Sequence, residues 1–163
     1  MEKEIIKGKT LEEKMAVADE ISRGYFRQGL NCAECLVLTI MDMYETDLPA
    51  EAVCMASGFG GGIGHTKNIC GAITGAVMAV GAIKGRRNPC GPKEEMKDRI
   101  KHLQGTVYPI FARMVEEIEK DYGTLICREM SQSYEDFDSK PRMKNCMEII
   151  AYCARLAVRY IEE

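Results

Sequence analysis

The sequence predicts an all-α protein, a single-domain bundle of about five to seven helices, and three observations support this. Apolar residues recur three and four apart along most of the chain, the spacing that lines one face of a helix. Residues able to cap a helix stand where these stretches begin. No convincing alternation of apolar and polar residues marks a strand.

The first helix is expected from Thr10 to Arg27. Thr10 and Glu13 form a capping box, and Leu11, Met15, Ala18 and Ile21, with Ala16 and Val17, supply the apolar face. Gly29 ends that unit. A second helix begins at Asn31, a good N-cap, and runs through Leu36, Val37, Ile40 and Met41 to about Tyr44. A short third helix follows Asp47, with Pro49 near its first turn and Val53 and Cys54 on it.

Ser57 to His65 contains five glycines, Gly58, Gly60, Gly61, Gly62 and Gly64. Such a stretch predicts a special loop and not a helix, because glycine is a poor helix former and reaches backbone conformations closed to other residues. A central apolar helix is expected next, from about Ile69 to Ile83, with Asn68 as its cap. Gly71, Gly75 and Ala79 fall on one face, and Ala72 and Ala76 on a neighbouring one. A stripe of small side chains lets another helix or a bound group come close.

Gly85 to Pro92 reads as a connector. A long helix is expected from Lys93 to about Asp121, disturbed at Gly105 or Pro109. Gly123 and Thr124 restart the chain, and Thr124 is placed to cap a short turn containing Cys127. Ser131 to Ser139 is polar and loop-like. The last helix is expected from about Pro141 to Ile161, with Met143, Cys146, Met147, Ile150, Cys153, Ala154 and Ala157 at core spacing.

The chain has 163 residues, 46% of them apolar and 29% charged. That composition is globular, and the length is that of one domain spanning residues 1–163, sufficient for a core. With a net charge of -3 and scattered basic residues, of which Arg86-Arg87 is the densest spot near the middle, no nucleic-acid partner is expected. Membrane insertion is not expected either. The apolar run from Ile69 to Ile83 is shorter than the roughly 18 to 20 residues a span needs, and Met1-Glu2-Lys3-Glu4 does not open a signal peptide. A cytoplasmic location is the expectation.

The eight cysteines are Cys32, Cys35, Cys54, Cys70, Cys90, Cys127, Cys146 and Cys153. In a reducing compartment they are expected to be metal or cluster ligands, catalytic thiols or small core residues, not a disulfide framework. Cys32, Cys70 and Cys127 would each lie in the first turn of a helix. There the dipole and free amides stabilise a thiolate, which suits a nucleophile or a metal ligand equally. Cys146 lies inside the last helix and taken alone reads as a buried core thiol. Cys54, Cys90 and Cys153 read as structural or incidental, with Cys90 exposed in its turn. Cys32-Ala33-Glu34-Cys35 permits a reactive pair, yet no βαβ pattern surrounds it, and Leu36 in place of histidine leaves no c-type haem motif.

The glycine segment fits neither a dinucleotide fingerprint nor a phosphate loop. It reads equally as a tight helix crossover without a ligand, or as a nest of amides that donates to sulfur or an anion. His65 reads as a solvent-facing loop residue before a ligand or proton donor, His102 as exposed, Lys67 as solvated, and the 11 methionines as core filler.

Three segments carry a family resemblance: Gly29 to Glu34 around Cys32, Ala56 to Gly64, and Cys70-Gly71-Ala72-Ile73-Thr74-Gly75. With two further cysteines in the second half, the chain resembles the redox-active family named for its C–GCAxxG–C–C signature, over roughly residues 20 to 155. Cys127 and Cys146 suit the last two places best, with Cys153 competing for the final one. A similar cysteine domain occurs in split-Soret-type cytochromes, where an iron–sulfur cluster has been associated with it. The resemblance implies a helical redox protein with Cys32, Cys70, Cys127 and Cys146 as metal ligands. Gly58, Gly60, Gly61, Gly62 and Gly64 would lie beside the bound group.

The leading expectation is therefore electron transfer through a cysteine-ligated iron–sulfur cluster. Two alternatives stay open. One is a metal-free thiol–disulfide oxidoreductase acting through Cys32 and Cys70; the other is a zinc-stabilised binding module. The redox partner is not identified by the sequence. The small-residue helix face is compatible with a homodimer without requiring one.

Overall fold

The computed structural model describes residues 1–91 and 95–163. Among these there is no strand, and the architecture is all-α. The helices are α1 (Leu11–Arg27), α2 (Cys32–Met43), α3 (Gly71–Lys84), α4 (Met96–His102), α5 (Tyr108–Tyr122), α6 (Cys127–Met130) and α7 (Lys140–Glu162). A 3-10 helix spans Ala50–Phe59 and a π turn spans Leu103–Val107. No helix of the described residues is long and apolar enough to cross a membrane.

Capping chemistry explains where the first helices start. Thr10 and Glu13 form the expected reciprocal box on α1, and Asn31 does the same with Glu34 on α2. The short third helix is of the 3-10 type, with Pro49 as its N-cap. Asn68 does not cap α3; Cys70 holds that position, while Asn68 and Ile69 belong to a short backbone pairing described below.

Helix α7 is the hub of the core and packs against α1, α2 and α3. Ile150, Cys153, Ala154, Ala157 and Val158 are fully buried, whereas Met143 is exposed on the first turn. The face α1 turns inward departs from expectation. Lys14, Ala18 and Ser22 are buried, while Leu11 is exposed. Lys14 is drawn in by the carboxylates of Glu162 and Glu2, and Tyr44 donates to Glu162 at 2.6 Å. Arg23 adds a forked contact to Glu148 at 2.7 Å, tying α1 to α7.

The small-residue stripe on α3 is consumed by this packing. A methyl on Gly75 would lie 2.6 Å from the Ala33 Cα, so α2 and α3 touch backbone to backbone there. The room expected beside α3 for a bound group is therefore filled by α2.

The long helix between the connector and Tyr122 is interrupted by the π turn that contains Gly105. Pro109 causes no break, because it sits in the first turn of α5 where its missing N–H costs little. The expected start at Lys93 and the connector's end at Pro92 lie outside the described residues. Gly123 closes α5 in the left-handed conformation, φ 75°.

Candidate four-cysteine site

Three short structures bring Cys32, Cys70 and Cys127 together. The first is the start of α2. Asn31 Oδ1 accepts from the amides of Ala33 and Glu34 at 2.9 and 3.0 Å, which sets Cys32 as the first helical residue. Asn31 Nδ2 donates to Ser57 O at 3.1 Å, and Ser57 Oγ donates to Glu34 at 2.6 Å. These bonds anchor the start of α2 to the 3-10 helix.

The second is the glycine loop. Gly61, Gly62, Ile63, Gly64 and His65 all have positive φ, between 59° and 74°, and form one tight left-handed turn. Left-handed backbone costs an ordinary residue about 1–2 kcal/mol, so this stretch is built mostly of glycine. Gly62 also needs its bareness for space: a Cβ there would stand 2.7 Å from Asn68 N and 2.9 Å from the Cys127 Cβ. The loop passes Cys32 closely enough for the Gly61 amide to donate to its sulfur.

The third is a backbone pairing between residues 67–70 and 125–128. Cys70 N donates to Leu125 O at 2.9 Å, Cys127 N to Asn68 O at 2.7 Å, and Arg128 N to Lys67 O at 3.1 Å. The pairing places Cys70 and Cys127 side by side, each just where a helix begins. Ile126 precedes α6, not the expected Thr124, whose hydroxyl instead accepts from the Ile126 amide at 3.1 Å.

Cys146 reaches the same place from α7. Its thiol lies within electrostatic range of Cys32 and Cys127, and Cys70 in turn feels Cys32, Cys127 and Cys146. All four predicted sulfurs thus share one region. Cys153, two turns further along α7, feels Cys70 and Cys32 from a fully buried position in the core. Cys35 is also fully buried, with its thiol directed at Leu30 O at 3.8 Å. Cys54 and Cys90 are exposed, far from core packing.

The helix starts do not lower the thiol pKa values as expected from position alone. Burial pushes Cys70 and Cys146 up to about 12, with further upward pressure from neighbouring thiols. Burial also raises Cys32, against the opposing pull of the Gly61 amide. The physical reason is visible at α2: the Asn31 side chain takes its first amides and the Glu34 carboxylate occupies its positive end. Desolvation then wins.

Two residues not anticipated from sequence complete the surroundings. Arg142 is buried on the first turn of α7, one turn before Cys146, and its Nη2 approaches the Cys127 sulfur at 3.9 Å. Its guanidinium lies 3.5 Å from the centre of the Phe137 ring, and its Nε faces Ser131 Oγ at 3.5 Å. Lys67 lies over Phe137 at 4.4 Å, and His65 meets the ring edge-on at 5.0 Å. His65 itself is exposed. The i, i+4 spacing of Arg142 and Cys146 was a signal available in the sequence. Phe137, an aromatic in a polar stretch, offered a weaker one.

The family described as "Putative redox-active protein (C_GCAxxG_C_C)" has a model that matches residues 30–160. The chain belongs to this family. No curated protein and no solved structure matches it. The family match takes in all four gathered cysteines, the glycine loop, Arg142 and Phe137, and leaves α1 outside.

Within this C_GCAxxG_C_C protein the predicted glycines divide by role. Gly61 faces the Cys32 sulfur, Gly62 backs Cys127, and Gly60 lies against Asn31, where a methyl would stand 2.7 Å from its Cβ. Gly64 donates to Gly58 O at 2.7 Å, and both border open space. Among the described residues no three His, Cys, Asp or Glu side chains are grouped closely enough to hold a single metal ion. Four sulfurs on one tetrahedral zinc would stand about 3.8 Å apart, given zinc–sulfur bonds near 2.3 Å.

Proposed function

We propose that Cys32, Cys70, Cys127 and Cys146 hold an iron–sulfur cluster and that the protein carries electrons through it. The observation that carries this reading is the convergence of four thiols from four separate segments into one buried region, with protein N–H groups directed at three of them. Gly61 donates toward Cys32, Ala72 toward Cys70 and Arg142 toward Cys127. Sulfur ligands that carry negative charge need such donors when they are removed from water.

The donor set is wholly sulfur, as iron–sulfur clusters prefer. A cluster also separates its protein ligands by more than one ion does, which agrees better with thiols not gathered at single-ion spacing. Zinc would require these side chains to close up. When bound, the cluster supplies one-electron redox chemistry. The protein's part is then to exclude water, to hold the four sulfurs, and to steady their charge through the Gly61 and Ala72 amides and the fixed cation of Arg142.

A metal-free thiol oxidoreductase using Cys32 and Cys70 has less support. Such an enzyme needs a thiolate near neutral pH, and burial moves both groups the other way. The test is reconstitution of the full chain with ferrous iron and sulfide away from oxygen, followed by visible absorption and electron paramagnetic resonance of the reduced form. Stoichiometric iron and acid-labile sulfide with a redox-active spectrum are expected. A reduced protein that takes up neither, yet forms a reversible Cys32–Cys70 disulfide, would transfer the assignment to thiol chemistry.

A further inference from the structure

The rod formed by α4, the π turn and α5 carries an apolar stripe that the rest of the chain does not cover. His102, Leu103, Val107 and Tyr108 all keep right-handed helical backbone, so the rod continues from Met96 to Tyr122, about 40 Å at 1.5 Å per residue. Only its second half is anchored in the core, through Met114 and Ile118, and α4 has no buried residue. Along the outer side Met96 is 74% exposed, Ile100 45% and Tyr108 55%. Gly105 leaves a notch between Ile100 and Tyr108, with nothing within 4 Å of where its Cβ would be.

We propose that this rod is a homodimer interface, in which two copies pair antiparallel about a two-fold axis near Tyr108. Two observations single out a second copy as the occupant. The first is area. A compact monomer of 18.2 kDa exposes about 8,100 Å² by the scaling of surface with mass, whereas this chain exposes 9240 Å². The surplus of about 1,100 Å² is of the size that one partner contributes to a stable interface, about 800 Å².

The second is charge. The α4 half carries Lys97, Arg99, Lys101 and His102 against Asp98, and the α5 half carries Glu116, Glu117, Glu119 and Asp121 against Arg113 and Lys120. Full antiparallel overlap has its axis at the middle of the rod, at Tyr108–Pro109. That overlap sets Lys97 and Lys101 of one copy beside Glu119 and Glu116 of the other, twice over. Parallel pairing would set like charges together. All four of these side chains are exposed. Tyr108 at the centre is of the residue type that anchors interfaces, and the Gly105 notch gives the facing side chain space.

The test is sedimentation equilibrium of the full chain with reductant present, so that exposed Cys54 and Cys90 form no cross-link. Wild type is expected at twice 18.2 kDa. Ile100→Glu should be monomeric, and Tyr108→Ala should self-associate at least about 30-fold more weakly, as for loss of a central aromatic anchor. Both residues are exposed, and unchanged circular dichroism would verify the fold. The charge variants decide the orientation. Lys97→Glu with Lys101→Glu should be monomeric, as should Glu116→Lys with Glu119→Lys, and an equimolar mixture of the two should recover a heterodimer. A monomeric wild type at several hundred micromolar would overturn the proposal and leave the stripe to a different partner. So would a dimer indifferent to Ile100→Glu, or charge variants whose mixture stays monomeric.

Discussion

Replacing Gly62 by alanine separates two costs that the glycine loop carries. Gly62 has φ 74°, so any side chain there pays about 1–2 kcal/mol for left-handed backbone. Its new methyl would also stand 2.7 Å from Asn68 N, 2.9 Å from Asn68 O and 2.9 Å from the Cys127 Cβ. None of these is the end of a flexible side chain, so the pairing between residues 67–70 and 125–128 must open. The bond from Cys127 N to Asn68 O, 2.7 Å long, is the first to suffer, and such a bond is worth about 0.5–1.5 kcal/mol. Gly64→Ala is the control, with φ 59° and no neighbour within 4 Å. Urea unfolding of the reduced, metal-free protein should show a loss of about 1–2 kcal/mol for Gly64→Ala. For Gly62→Ala the loss should be larger by about 1 kcal/mol or more, the worth of the broken bond. Gly62→Ala should also hold less iron after reconstitution, because Cys127 is displaced, while Gly64→Ala should load normally. Equal losses of stability and equal loading in the two variants would refute the close approach of the loop to Cys127.

Two further outcomes follow from the surroundings of the sulfurs. Because burial raises Cys32, Cys70 and Cys146, the native metal-free protein holds their protons more tightly than the unfolded chain does. Their contribution to stability is full below the ordinary thiol range and is lost as pH rises from about 9 towards 12. Urea midpoints measured under reductant should fall over that window, and less steeply in Cys70→Ala; a midpoint that rises with pH would be contrary. Arg142→Gln should load with iron and lower the midpoint potential by on the order of 100 mV, the Coulomb energy of one charge a few ångströms away at an effective dielectric of about 20. Arg142→Lys should recover part of that shift, and potentiometric titration of the three proteins gives the comparison.

Much of the fold is legible because the caps are local. Thr10 with Glu13, and Asn31 with Glu34, declare two helix starts from four residues each. Gly105 and Pro109 mark a disturbance in the long helix, but which of them acts depends on register: Pro109 falls where a helix turn begins, and Gly105 inside the π turn. Asn68 misleads because its backbone is claimed by Cys127 from the other half of the chain, a non-local contact no local pattern announces. Lys14 misleads for the same reason, since Glu162, near the other end of the chain, pulls it inside.

The site shows the same division. Cys32, Cys70 and Cys127 stand at helix starts, as their neighbours in sequence foretell. Their protonation is not foretold, because the balance between amides and desolvation depends on how deeply the sulfurs are covered. The preference for Cys146 over Cys153 came from family likeness, and the fold supplies a physical ground for it. Cys146 is near Cys32, Cys127 and Arg142, whereas Cys153 lies deeper along α7.

That distinction gives the most direct measurement of the central assignment: iron and acid-labile sulfide bound per chain, with the visible spectrum, in single cysteine variants prepared and reconstituted without oxygen. The four-cysteine account predicts a bound cluster in wild type, lost or severely depleted in Cys32→Ala, Cys70→Ala, Cys127→Ala and Cys146→Ala, and retained in Cys54→Ala and Cys153→Ala. A folded wild type that binds no iron, or a cluster that survives Cys146→Ala and disappears with Cys153→Ala, would contradict it.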